Sequence, residues 1–375
     1  MGFSTDVNLS RYSLAAHSAT CQLSTTVGVR TAASPPLGPK DTPNIADITT
    51  LAPMKAAVYS VTGPPDVFSY EEVPDPTAGR GELLVAVEAV SIEGGDTLNR
   101  AGGEITRAPH IVGYQCAGTV VGLGEGVESF SLGDRVVTVG VDGSHAELRV
   151  AGEAFAWKVP DGLATEEAAC VPVAFGTAHD CLFEFGRLQA GETALVHAGA
   201  GGVGIGAIQM AKAAGARVLS TASSAERLER LAAYGLDDGI NYAEVDFVDA
   251  VRSLTGGRGA DVIVDSVGGR TLEQSLRALA YRGRCVTVGD AGRHPSERVD
   301  ISGLRPNNQT LSGYFLGAEL FMAPRAHAMI AGLLDDVAHG SLRVVIDRRF
   351  PLAEAAAAHA YIESRQAFGR VVLVP

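Results

Sequence analysis

The stretch ETALVHAGAGGVGIGAIQMAKAAGARVLSTASSAER, residues 192–227, decides the fold. Its apolar run Thr193-Ala194-Leu195-Val196 leads into Gly199-Ala200-Gly201-Gly202-Val203-Gly204. A helix-like segment from Ile205 to Ala214 follows, and a second strand-like run, Arg217-Val218-Leu219-Ser220-Thr221, closes the unit. A G-x-G-x-x-G turn set between a strand and a helix is the context a dinucleotide site requires. Gly199 permits the tight turn out of the strand, and Gly201 lets backbone approach a pyrophosphate. Gly204 lets the helix lie close to the sheet, while the helix N-terminus offers free N–H groups to phosphate charge. Residues Gly199, Ala200, Gly201, Gly202, Val203 and Gly204 are therefore predicted to bind cofactor.

The second strand lacks a feature that an NAD site usually carries, an acidic residue about 20 positions past the glycines to hold the ribose 2′-hydroxyl. The corresponding residues are Thr221-Ala222-Ser223-Ser224-Ala225, with Arg227 one turn later beside Glu226. A small neutral strand end near a permanently charged, forked guanidinium suits a 2′-phosphate. NADPH is thus expected over NADH. The alternative for Arg227 is a solvated helix residue paired with Glu226 or Glu229.

At 375 residues the chain is long enough for two cores, and 46% apolar with 19% charged residues describes an ordinary globular protein. A net charge of −13 argues against a general nucleic-acid or anionic-membrane surface. No apolar run approaches the roughly 20 residues that span a bilayer. Cys21, Cys116, Cys170, Cys181 and Cys285 are scattered without a C-x-x-C pair. They read as reduced, buried thiols, which points to a reducing, cytoplasmic compartment.

Residues 1–53 are rich in Ser, Thr, Ala and Pro and show no periodicity. They are expected to be a disordered or non-native extension, with a transit sequence as the alternative. From Met54 to about Pro172, short alternating runs broken by Gly and Pro predict a β-rich domain; examples are 82–90, 116–121 and 134–139. Beyond it, strands alternate with helices: 225–234 (helix), 238–242 (strand), 247–255 (helix), 261–265 (strand), 271–280 (helix) and 284–288 (strand). That alternation predicts a parallel sheet covered on both faces. Helices at 324–339 and 353–365 and a strand at 370–374 complete the chain.

This order of parts resembles the medium-chain dehydrogenase/reductase superfamily. The pieces that carry the resemblance are the Met54 start, Gly118-Thr119-Val120, Gly133-Asp134-Arg135-Val136, the glycine turn, Asp265-Ser266-Val267-Gly268-Gly269 and Gly369-Arg370-Val371-Val372-Leu373. The resemblance implies an α/β protein with a Rossmann doubly wound parallel sheet inserted into a β-rich GroES-like catalytic domain. The expected boundaries are 54–172 with 318–375 for the catalytic domain and 173–317 for the NADPH-binding domain. Zinc members of the family use a Cys three residues before an Asp, then Gly-His-Glu. Here Glu93 takes the Cys place before Asp96, and Gly113-Tyr114-Gln115 lacks both His and Glu. A catalytic zinc needs three good ligands, so no metal is expected.

What remains is similar to the zinc-free NADPH:quinone oxidoreductases and related enone reductases. That similarity places Thr177 near the nicotinamide, and Ser223, Arg227, Tyr242 and Arg365 around the 2′-phosphate; Gly289 is also expected on the cofactor. Glu93 and Tyr114 are the catalytic candidates. Glu93 would be a proton donor if burial raised its pKa, or else it bonds the Gly94-Gly95 turn. Tyr114 would donate to a substrate carbonyl, or else it forms an aromatic wall. His197, His145, His179 and His110 are read as structural, and Cys116 as a small buried filler. The implied reaction is reduction of a quinone or α,β-unsaturated carbonyl. The alternatives are an enoyl-thioester reductase and a non-catalytic, crystallin-like NADPH binder. A homodimer is expected, with 308–316 at its edge.

Overall fold

The computed structural model describes residues 53–293 and 298–375. Residues 1–52, and with them nearly all of the predicted extension, lie outside the described residues. The unit around the glycine turn forms as its pattern predicts. Strand Thr193–Val196 is buried at every residue, helix Gly202–Ala213 follows the turn, and strand Arg217–Ala222 pairs parallel to the first strand. Three further strands, Ala260–Asp265, Leu279–Thr287 and Thr310–Gly313, extend the sheet on one side, and Asp238–Asn241 extends it on the other. The six strands therefore lie in the order 3-2-1-4-5-6, all parallel. Strand order reverses between Thr193–Val196 and Ala260–Asp265, which opens a crevice at their carboxyl ends.

Burial on both faces explains why these strands are continuously apolar. Ala194, Val196, Val262 and Val264 enter one core, with Ile205 and Ile208 of helix Gly202–Ala213. Leu195, Leu219 and Ile263 enter the other, beneath Phe247, Val251, Leu272 and Leu276. Side chains alternate between two covered faces, so both are mainly apolar, and the buried polar residues such as Ser220 and Asp265 are hydrogen-bonded.

A second, seven-stranded sheet is mixed. Strand Glu82–Ser91 pairs antiparallel with Gln115–Leu123 and with Leu148–Gly152. Arg135–Val139 and Ala156–Lys158 continue one side. The last strand of the chain, Arg370–Val374, returns to this sheet, placing Val372 opposite Ser91, and Ile346–Pro351 lies outside it. The return also ties the two sheets together. Gly369 N–H donates to Ala200 O at 2.8 Å, and Gly201 and Gly369 form an isolated parallel bridge.

Two local features differ from the sequence expectation. Helix Gly94–Gly102 was not predicted, because its opening glycines carry no helical signal. It starts where Asp96 accepts the Glu93 N–H at 2.8 Å, and it is anchored by Arg100, a buried side chain that donates to Gly63 O at 2.7 Å. The helix predicted at 271–280 is Gly269–Ala278, and strand Leu279–Thr287 begins immediately after it. No Gly or Pro marks that junction.

Candidate cofactor and substrate site

The glycine turn is built for close approach. Ala198, just before it, holds a left-handed φ of 51°. A Cβ on Gly204 would stand 2.5 Å from Ala198 O and 2.6 Å from Gly199 Cα, so only glycine lets the helix meet the strand end there. Gly201, the residue before the helix, provides no side-chain cap. Among the described residues, the N–H groups of Val203 and Gly204 donate to no protein acceptor, while that of Gly202 faces Gly369 O in the parallel bridge. Two free donors at the positive end of a 12-residue helix form a site for phosphate oxygens.

A cation stands behind this turn that the sequence reading took only as part of a strand motif. Arg370 is 7% exposed, and a Cβ on Gly202 would lie 2.6 Å from its Nη1. Its other nitrogens are committed. Nε and Nη2 donate to Ser91 Oγ at 3.1 and 2.7 Å, and Nη2 donates to Ile92 O at 2.8 Å. Nη2 also pairs with the Glu93 carboxylate. Glu93, 5% exposed, accepts from Gln115 Nε2 as well. Gln115 in turn accepts the Val173 N–H at 3.0 Å, at the start of the helix that bears Thr177. Burial outweighs Arg370 and holds the Glu93 carboxyl above its ordinary range. Burial also works against the Arg370 charge, yet Glu93 offsets this and the guanidinium stays above its ordinary value. Direct contact with a permanently charged guanidinium opposes the rise at Glu93 and favours the carboxylate form, so Glu93 has a partner quite different from the Gly94-Gly95 amides.

Asp96 is the second buried carboxyl and has no cation in contact. It accepts N–H groups from Glu93 at 2.8 Å and Tyr114 at 3.2 Å. Burial nevertheless pushes it up to about 8. Tyr114 leans on Gly95, where a Cβ would stand 2.6 Å from its hydroxyl. That hydroxyl accepts from Asn99 Nδ2 at 3.1 Å. Burial, then Asp96, raises it to about 12, so it remains a protonated donor at neutral pH. Thr177 lies on helix Pro172–Leu182 at 5% exposure. The structure thus joins Glu93 to the glycine turn through Arg370, and Tyr114 to the start of helix Gly94–Gly102 through Asp96.

Ser223, Tyr242 and Arg227 lie at the end of strand Arg217–Ala222, and Arg365 and Gly289 lie apart from it. Ser223 is exposed, and Tyr242, 49% exposed, donates its N–H to Ala222 O at 3.2 Å. Arg227 sits in the first turn of helix Ala225–Ala232, capped by Ser224. Its guanidinium pairs with neither Glu226 nor Glu229; it donates to the carbonyls of Ala367, Arg365 and Gln366 at 2.9, 2.8 and 2.5 Å. Arg365 is exposed, and Gly289 lies exposed in the loop after strand Leu279–Thr287. His197 is bonded to Thr221 Oγ1 and Ser275 Oγ, a satisfied core residue. His145 and His359 bond each other at 3.1 Å, buried against Phe68. Among the described residues, no three His, Cys, Asp or Glu side chains group as metal ligands.

A 3-2-1-4-5-6 parallel sheet with a glycine turn, joined to a β-rich sheet that the chain's last strand completes, defines the class. The chain belongs to the medium-chain dehydrogenase/reductase superfamily, in its quinone oxidoreductase-like branch. Residues 79–161 match the alcohol dehydrogenase GroES-like domain and residues 202–333 the zinc-binding dehydrogenase family. The chain is 34% identical over 333 residues to a 2-haloacrylate reductase of a Burkholderia species, covering 85% of this chain and 98% of that one. It is 34% identical over 326 residues to a quinone oxidoreductase of Pseudomonas aeruginosa, covering 86% and 99%. A mycobacterial structure solved in complex with NADPH superposes with a TM-score of 0.81 at 35% identity, covering 86% of this chain and all of the other.

Proposed function

We propose that this chain is an NADPH-dependent oxidoreductase that reduces a small quinone or α,β-unsaturated carbonyl without zinc. The observation that carries this reading is the combination of free N–H groups at Val203 and Gly204 with Arg370 Nη1 beside Gly202. The residues present fit NADPH: close-approach glycines, a helix N-terminus with open donors, and a strand end at Ala222 and Ser223 without a carboxylate. When bound, NADPH supplies a hydride from its reduced nicotinamide ring.

The chain's own part is binding, orientation and polarisation. The turn 199–204 and Arg370 hold the pyrophosphate. Ser223, Tyr242 and Arg365 receive the adenosine 2′-phosphate, and Thr177 and Gly289 border the cofactor between them. Tyr114, a protonated donor, binds the substrate oxygen and stabilises the negative charge that develops on it. Glu93, ionised against Arg370, is a positioning residue rather than a proton donor; it holds Arg370 and Gln115 in place. The same commitment removes Glu93 as a metal ligand, and Tyr114 and Gln115 beside it are poor ligands for zinc.

In this reading, 54–172 with 318–375 form the catalytic domain and 173–317 the NADPH-binding domain. Two copies pair along the sheet-edge strand Thr310–Gly313. Among the described residues, no helix is long and apolar enough to cross a membrane, and we assign the protein to the cytoplasm.

The test is NADPH oxidation by the purified chain against quinones, short enones and enoyl-CoA esters. Turnover of the first two groups is expected. Turnover confined to the thioesters would make it an enoyl-thioester reductase, and binding without turnover would make it a crystallin-like binder.

A further inference from the structure

Resting on the NADPH reading above, we propose that Arg227 sets the preference for NADPH without touching the phosphate. It is a positioning residue that holds the 365–367 turn so that Arg365 presents its side chain to the 2′-phosphate. Three of the five N–H donors of a guanidinium are taken at Arg227, all by successive carbonyls, those of Arg365, Gln366 and Ala367. Those carbonyls follow the end of helix Ala355–Glu363, where backbone oxygens lack intrahelical partners. Helix Ala225–Ala232 grips the turn a second time, since the Arg230 guanidinium lies 3.7 Å over the Phe368 ring.

What the grip secures is a strained conformation. Arg365 has a left-handed φ of 59°, which a residue with a Cβ rarely adopts and which persists when its surroundings over-determine it. The Arg365 side chain is exposed, and its one contact among the described residues is a long one, 3.3 Å from Nη2 to Gly292 O. The carbonyl of Arg365 is bonded to Arg227, three residues beyond Ser224 and in the first turn after Ser223. The turn therefore holds the Arg365 backbone against helix Ala225–Ala232, which starts beside Ser223, and leaves the Arg365 side chain over the open cleft between that helix and Gly292. A guanidinium that released three carbonyls to reach a phosphate would free the turn that brings the second arginine.

The test compares KM for NADPH and NADH in the full chain for R227A, R227K, R365A and R227A/R365A. A lysine keeps the charge, but its point ammonium cannot span three successive carbonyls. Both R227K and R227A should therefore raise KM for NADPH about tenfold, with KM for NADH within about twofold, the size of one lost charge-assisted contact. The double variant should show the same NADPH/NADH ratio as R365A alone, because Arg227 acts through Arg365. Hydrogen exchange of residues 364–369 should quicken in R227A and R227K and stay unchanged in R365A. Retention of NADPH preference by R227K, or additive losses in the double variant, would overturn the inference while leaving the NADPH reading intact. A wild-type chain with equal KM for both coenzymes would overturn that reading, and this inference with it.

Discussion

Replacing Arg370 by Met tests the buried ion pair at the centre of the site. Methionine fills much of the arginine stem but supplies no donors. It would strip the Glu93 carboxylate of its counter-charge, and Ser91 Oγ and Ile92 O of their donors, all in a region about 5% exposed or less. Removing one partner of a buried pair costs about 3–5 kcal/mol, chiefly because a charge is left uncompensated. In a chain of this length that corresponds to a melting temperature lowered by roughly 4–6 °C. The single tryptophan, Trp157, is 3% exposed in the β-rich part, so its fluorescence reports the transition.

Two controls sharpen the result. E93Q/R370M removes both charges and should recover at least about half of the loss. The deficit of R370M should also depend on pH. An orphaned buried Glu93 would hold its proton to a higher pH in the folded chain than in the unfolded one, so stability is retained below the unfolded value, about 4.3, and is lost as pH rises through the folded one. The gap to wild type should widen from about pH 4 upward. NADPH affinity of R370M should fall about tenfold as a phosphate donor disappears. A variant within about 0.5 kcal/mol of wild type at pH 7, or a double variant as unstable as the sum of the singles, would refute the reasoning.

Y114F should lower kcat by roughly 10²-fold with KM for NADPH unchanged, as loss of an oxyanion donor does; an unaltered kcat would make Tyr114 an aromatic wall. G204A places a Cβ 2.5 Å from Ala198 O and should weaken NADPH binding by about tenfold or more in a fluorescence titration. Asp96, raised to about 8 when folded, holds a proton that the unfolded chain releases near 3.9. Stability should therefore decline between about pH 4 and pH 8, by at most about 1.4 kcal/mol per unit, and level off above; D96N should flatten that slope in urea melts. Exhaustive chelation should leave turnover unchanged, and loss restored by zinc alone would end the metal-free reading.

What could be read from the sequence was local. The strand, glycine turn and helix of 192–214 lie within one short stretch, and their periodicities name them without help from the rest of the chain. The absent carboxylate at Ser223 and the lost zinc ligands at Glu93 and Tyr114 are likewise matters of single positions. Long-range pairing was not legible. Arg370 meets Glu93 across 277 residues, and Arg227 meets its carbonyls across 138 to 140. A strand pattern such as Arg370-Val371-Val372 says which face is apolar, and nothing about which distant carboxylate an arginine at its start will find. His145 was correctly read as a packing residue, but its partner His359, 214 positions away, carries no signal in sequence.

The tie between Gly369 and Ala200 has a consequence for synthesis. Residues 365–370 supply the arginine beneath the glycines, the backbone bridge beside them and the turn that Arg227 holds. During translation the six parallel strands emerge well before these residues do. A chain that has made all six parallel strands but not yet Gly369 would hold that sheet without this tie, so the glycine turn is completed by residues made well after the last strand of its own sheet.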